Sequence, residues 1–182
     1  LQGAWREIPH VTQHDDADIT ELDGFRKKLK VFGGKKGVKV TFLPFLLRAV
    51  SIALKEMPRF NSSLDQKTEN LIIKKYINIG VAVDTPSGLV VPSIKDVDKK
   101  TIFELSKELM EISLRAKEKK LRPDELVGST FTISSLGGIG GTRFSPIVNP
   151  PEVAILGVSR SKLSPVFNLS LIHISEPTRP ST

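Results

Sequence analysis

Phe131-Thr132-Ile133-Ser134-Ser135-Leu136-Gly137-Gly138-Ile139-Gly140-Gly141, followed shortly by Val153-Ala154-Ile155-Leu156-Gly157-Val158, decides how this chain reads. The first stretch predicts a short strand near residues 129–134 that delivers Ser134 into a glycine-rich bend, and the apolar run predicts a second, buried strand. A hydroxyl is thereby set at a strand end, where reactive groups are commonly held. From the residues alone, Ser134 is either a strand-end serine bonding backbone or a group placed for chemistry, with Ser135 its adjacent rival.

Upstream of that stretch, Thr101-Ile102-Phe103-Glu104 is a capping box, and Leu105, Leu109, Ile112 and Ala116 give the helix behind it a buried stripe closed by Arg122-Pro123. Before it, residues 76–84 alternate Ile77, Ile79, Val81 and Val83 with Asn78, Gly80 and Ala82, so a strand is expected there, close-packed on its Gly80 and Ala82 face. Thr85-Pro86-Ser87-Gly88 then turns the chain into residues 89–92. Further back, Leu43, Leu46, Leu47, Val50, Ala53, Leu54 and Met57 form a nearly all-apolar helical pattern. Pro44 is tolerable in its first turn and Pro58 marks its end; this helix is expected to be buried on most sides. Ile19, Leu22, Phe25 and Leu29 predict an earlier helix, capped by Asp18 or Thr20 and fading into the basic loop Phe32-Gly33-Gly34-Lys35-Lys36-Gly37. Helices and strands alternate irregularly, with hairpin-like and crossover links mixed. That predicts an α/β sandwich with a mixed sheet rather than a doubly wound parallel fold.

The 182 residues suit a single domain with a real core. Without cysteine there is no disulfide, no cysteine-ligated zinc and no thiol nucleophile, which is compatible with a reducing, cytoplasmic location. No leader pattern and no bilayer-length apolar run is present, so no membrane partner is expected. The net charge of +7 raises nucleic-acid binding, but the basic residues are scattered, interleaved with acids and free of an aromatic ladder. They read as solvated helix faces, and no nucleic-acid partner is expected.

Other constellations read blandly. The Gly137–Gly141 cluster lacks the spacing and the Lys-Ser/Thr of a nucleotide loop, and Thr142-Arg143-Phe144-Ser145-Pro146 does not open a helix, so a tight turn is expected. His10 and His14, which would share a face on a strand, with Asp15 and Asp16 suggest a metal cluster, but polar residues along a strand and its exit are the better reading, and no metal is expected. Asn61-Ser62-Ser63 and Asn168-Leu169-Ser170 are chance glycosylation sequons. Residues 170–181 look like translated sequencing-adapter DNA, so residues 169–182 are expected to be a non-native tail, and His173 carries no catalytic weight.

Taken with Ile8-Pro9-His10-Val11-Thr12-Gln13-His14-Asp15-Asp16-Ala17-Asp18-Ile19-Thr20, Met57-Pro58-Arg59-Phe60-Asn61-Ser62-Ser63 and Asn78-Ile79-Gly80-Val81-Ala82-Val83-Asp84-Thr85-Pro86-Ser87-Gly88-Leu89-Val90-Val91-Pro92, the Ser134 segment resembles the catalytic domain of the dihydrolipoyl acyltransferases of 2-oxo acid dehydrogenase complexes. The likeness runs from about residue 5 to residue 168 and is nearest the bacterial pyruvate-complex members. It implies a chloramphenicol-acetyltransferase-like two-layer sandwich over residues 1–168, incomplete at its C-terminus. It also implies the transfer of acetyl from S-acetyldihydrolipoyllysine to coenzyme A. In the family and in the related chloramphenicol acetyltransferases, the first Ser of Thr-Ile-Ser-Ser stabilises the oxyanion; position by position this is Ser134.

By the same resemblance a His is the general base, in a His-Arg-x-x-x-Asp-Gly segment that family spacing puts beyond Thr182, so the fragment itself is expected to be inactive. Lipoate is carried on an upstream lipoyl domain, coenzyme A is the acceptor, and individual coenzyme A contacts stay unassigned. The implied partners are further copies of the chain in trimers and a larger core, lipoyl domains, and the pyruvate dehydrogenase and dihydrolipoyl dehydrogenase components. A succinyl or branched-chain specificity, or a non-catalytic core-forming paralogue, is the alternative.

Overall fold

The structure, a computed structural model, describes residues 2–35, 37–65, 69–138, 140–168 and 171–174, with side chains at all of these except 166–168 and 171–174. The N-terminal third forms three helices, α1 (Gln2–Glu7), α2 (Thr20–Gly34) and α3 (Leu43–Glu56). Neither expected residue caps α2 from the N-cap position, which is Ile19; instead the Asp18 carboxylate accepts from the Thr20 N–H at 2.9 Å and its hydroxyl at 2.6 Å. The helix does not fade at Phe32 but runs on to Gly34. Gly33 is there for close approach: a Cβ on it would stand 2.8 Å from the Val38 carbonyl oxygen and 2.9 Å from Val40 Cγ2. Phe32 meanwhile meets Phe103 with ring centroids 5.8 Å apart.

Pro44 sits in the first turn of α3, as expected, and Pro58 opens a short 3-10 turn, Pro58–Phe60. The expectation that α3 is buried on most sides is corrected. Phe45, Leu47, Ser51 and Leu54 are buried, but Ile52 is half exposed, because only one face of the helix is covered.

Strands β1 (Ser62–Asp65) and β2 (Asn70–Ile73) form an antiparallel hairpin that the sequence reading did not find. The single strand expected over residues 76–84 is two short ones, β3 (Ile79–Val81) and β4 (Val83–Thr85), in different sheets. The break falls at Ala82, whose N–H still donates to the Ile133 carbonyl at 3.0 Å. β4 folds back through the expected turn onto β5 (Gly88–Val90), with Gly88 at φ +112° and the Thr85 hydroxyl donating to the Gly88 carbonyl at 2.7 Å. β6 (Ser93–Ile94) follows.

The capping box forms as expected. Glu104 N–H donates to the Thr101 hydroxyl at 3.3 Å and Thr101 N–H to the Glu104 carboxylate at 2.7 Å, satisfying two orphan donors of α4 (Ile102–Lys117). The helix stops at Lys117 rather than at Arg122-Pro123, because Lys119 takes a left-handed conformation at φ +59° that a helix cannot contain. Residues Pro123–Leu126 make a separate 3-10 turn. The chain continues into β7 (Phe131–Ser135), β8 (Ile155–Val158) and an antiparallel pair, β9 (Pro165–Asn168) with β10 (Leu171–Ile174).

The main sheet has the order β6-β3-β7-β8, with β3/β6 antiparallel and β3/β7 and β7/β8 parallel, so it is mixed. α3 and α4 cover one face. Leu47, Leu54, Leu105 and Ile112 from the helices meet Ile79, Val81, Ile94, Phe131 and Ile133 from the sheet in one core. Burying a side chain such as Ile133 contributes roughly 2–3 kcal/mol. This is the α/β two-layer arrangement with a mixed sheet that the sequence predicts. Of the remaining sequence readings, the adapter-like tail, His173 and the Asn168 sequon fall wholly or partly outside the described residues, as does Ile139 of the glycine-rich bend.

Candidate active site

Alternation along β7 decides what each of its side chains faces. Phe131 and Ile133 point into the helix-covered core, so Thr132 and Ser134 point to the opposite face of the sheet. β7 is an inner strand, held in register by Gly80↔Thr132 and Val81↔Ile133 on one side and Ser134↔Gly157 on the other. Pairing extends past the strand end, where Leu136 N–H donates to the Val158 carbonyl at 2.9 Å. Ser134 therefore has a rigid backbone. Its side chain is half-buried, and its hydroxyl has no hydrogen-bond partner among the described residues. Ser135 is exposed and on the other face. The backbone-bonding reading of Ser134 is thus not what the geometry offers.

Ser134 has no side chain opposite it on β8. Its register partner is Gly157, and a Cβ there would stand 3.0 Å from Phe144 Cζ and 3.1 Å from Pro146 Cδ. Glycine is what lets those two rings lie against the sheet at the position that pairs with Ser134. Beyond β7 the bend uses Gly140 at φ +119° and Gly141 at φ +88°, conformations that side chains strongly disfavour. Thr142-Arg143-Phe144-Ser145-Pro146 forms no helix, so the bend is a turn with no helix dipole behind it.

Sequence reasoning missed Glu152, which is buried at 6% exposure just ahead of β8. Its Oε1 accepts from the Ser129 hydroxyl, and Thr132, two residues before Ser134, faces the same carboxyl. Burial lifts the Glu152 carboxyl above its ordinary range, against the opposing hydrogen bonding of Ser129 and Thr132. The signal was an acidic residue heading an apolar strand. Val153 to Val158 is also less buried than expected: the strand starts at Ile155 and all four of its residues are half-buried.

No strand forms over residues 8–19, so His10 and His14 do not share a strand face. The His10 Nδ1 lies 2.8 Å from the Ile8 carbonyl and its Nε2 accepts the Val148 N–H at 2.9 Å, so both ring nitrogens are engaged. Asp16 reaches Arg143 at 3.7 Å. Among the described residues no group of three or more His, Asp or Glu side chains is placed to hold a metal ion.

The family model "2-oxoacid dehydrogenases acyltransferase (catalytic domain)" matches residues 1–177. The dihydrolipoyllysine-residue acetyltransferase component of the pyruvate dehydrogenase complex from Haemophilus influenzae is 59% identical over 170 residues, which is 92% of this chain and 30% of that protein. Its counterpart from Cupriavidus necator is 56% identical over 168 residues, again 92% of this chain and 30% of the relative. The chain thus spans about a third of the length of these curated relatives.

Among solved structures, the Azotobacter vinelandii dihydrolipoamide acetyltransferase superposes with a TM-score of 0.93 at 52% identity, covering 96% of this chain and 72% of that one. It was solved to investigate the roles of a serine, a histidine and an asparagine in its catalytic mechanism. The cubic core of the pyruvate dehydrogenase multienzyme complex matches equally well, with a TM-score of 0.93 at 52% identity and the same coverage, 96% of this chain and 72% of that one. With the family model covering residues 1–177 and 52% identity to a solved dihydrolipoamide acetyltransferase, the chain belongs to the 2-oxoacid dehydrogenases acyltransferase (catalytic domain) family.

Proposed function

We propose that this chain carries the oxyanion-stabilising side of an acetyltransferase that moves acetyl from S-acetyldihydrolipoyllysine to coenzyme A, with Ser134 as the oxyanion donor. The observation that carries the reading is the Ser134 hydroxyl: fixed at the end of an inner strand, half-buried, with no partner among the described residues and glycine beside it. A donor bonded elsewhere would have to break that bond in the reaction. One left free is pre-organised for charge that develops only in the transition state.

A base takes the proton of the coenzyme A thiol, and the sulfur attacks the thioester carbonyl carbon. The carbonyl oxygen becomes an oxyanion that accepts a hydrogen bond from the Ser134 hydroxyl. Collapse reforms the carbonyl, expels the dihydrolipoyl sulfur and returns the proton to it. Ser134 forms no covalent bond. The His-Arg-x-x-x-Asp-Gly segment that would hold the base is not among residues 1–182.

Lipoate, carried on a lipoyl domain outside these residues, and coenzyme A are the thiols this reading needs. Trimers built into a larger core, with the dehydrogenase components of the complex as further partners, are the assembly it needs; the likeness to the cubic core supports that. The test is acyl transfer by the intact protein with acetyl-, succinyl- and branched-acyl-dihydrolipoamide as donors. Acetyl is expected to be the best donor by kcat/KM. Preference for another acyl group, or no transfer to coenzyme A from any of them, would overturn the reading.

A further inference from the structure

His10 joins parts of the chain 138 residues apart. Its Nδ1–H donates to the Ile8 carbonyl at 2.8 Å, which leaves Nε2 as the lone-pair nitrogen that accepts the Val148 N–H at 2.9 Å. Trp5 lies against the same ring, with centroids 5.5 Å apart. Val148 closes a segment without secondary structure. Among the described residues from Thr142 to Val148, the bond to His10 is the one hydrogen bond made by the backbone. The exposed Arg143–Asp16 pair at 3.7 Å is a weak second tether.

That segment supplies the two rings beside Ser134. Phe144 and Pro146, four and two residues before Val148, fill the space over Gly157, and Gly157 pairs with Ser134. We propose that the N-terminal arm, pinned to Val148 through His10, is a positioning element for the Ser134 hydroxyl. The pin holds the Phe144 and Pro146 rings down as an apolar flank. A water-poor flank strengthens a hydrogen bond to a developing oxyanion and narrows the directions open to the hydroxyl. His10 touches no reacting atom and is a positioning residue. The inference rests on the oxyanion reading of Ser134.

A double-mutant cycle in the intact protein separates the two ideas. His10→Ala, Ser134→Ala and the double variant are compared by kcat and KM for acetyl transfer to coenzyme A. His10→Ala is expected to lower kcat about tenfold, on the scale of a small misplacement at a catalytic group, with KM little changed. In the Ser134→Ala background the same change is expected to cost less than about twofold, because the group it positions is gone. His10→Gln, whose amide oxygen can accept the Val148 N–H, is expected to recover most of the rate. If Ser134→Ala slows transfer but His10→Ala costs the same factor in both backgrounds, or nothing, the positioning role is overturned and the oxyanion role stands. If Ser134→Ala leaves kcat unchanged, the oxyanion role falls and the inference with it. Should His10→Ala not fold, Phe144→Ala carries the same cycle from the other end of the tether.

Discussion

Gly80→Ala tests how tightly the face of the sheet that carries Ser134 is packed. The new methyl would stand 2.7 Å from Thr132 Oγ1, 3.0 Å from Val91 Cγ1 and 3.4 Å from Ser129 Cβ. Thr132 has little room to give: it is 3% exposed, β-branched and on an inner strand. Overpacking of this kind costs about 1–3 kcal/mol, and the lower unfolded-state entropy of alanine offsets roughly 0.4–1 kcal/mol of it. A net loss of about 1–2 kcal/mol is therefore expected. It would be read as a lower midpoint in urea followed by circular dichroism, with the slope unchanged. In a Thr132→Ala background the same substitution should cost less than half as much, since the nearest atom has been removed. A Gly80→Ala protein as stable as the parent would refute the packing of β3 on β7 that places Ser134.

Other expectations follow from the same geometry. Burial raises the Glu152 carboxyl in the folded protein, so between its unfolded and folded titrations the native state holds more protons and stability falls as pH rises. Glu152→Gln should remove that fall when denaturation midpoints are compared across roughly pH 4 to 8. Glu125 has the opposite sign. Its carboxyl is held low first by the Arg122 backbone N–H, against burial, and then by Arg115, so its contribution is lost as pH falls and Glu125→Gln should be most damaging at neutral pH. Thr101→Ala, which removes the α4 capping box, should cost about 1 kcal/mol in thermal or chemical denaturation. Ile133→Ala, at the centre of the core, should cost about 2–5 kcal/mol, with a cost under 1 kcal/mol contradicting its placement.

Much of the architecture was legible because local chemistry and tertiary need agree. The Thr101 box, the Pro44 first turn and the Thr85–Gly88 turn are decided by backbone hydrogen bonds and fixed φ, and these act within four residues. Where long-range contact decides, the sequence misled. Gly33 looks like a helix breaker yet sits inside α2, because Val38 and Val40 need to come close. The alternation over residues 76–84 is real, but its two halves are claimed by different partners, β6 and β7 for one and β5 for the other.

The site divides the same way. The place of Ser134 near a strand end was legible in the local pattern. Glu152 and His10 were not, because the partners that matter, Ser129 and Val148, lie 23 and 138 residues away in the chain. The close-packed face expected at Gly80 is found, with a Cβ there 2.7 Å from Thr132 Oγ1, whereas the room that Gly157 leaves for Phe144 and Pro146 depends on residues brought in from a separate loop.

The most direct test of the account is the rate of acetyl transfer to coenzyme A by the intact protein carrying Ser134→Ala, with Ser135→Ala as its neighbour control. A fall in kcat of about 10²–10³ is expected for Ser134→Ala, the usual loss for one oxyanion donor, with KM little changed and Ser135→Ala near the parent rate. A Ser134→Ala enzyme that keeps the parent kcat, or a loss that follows Ser135 instead, would contradict it.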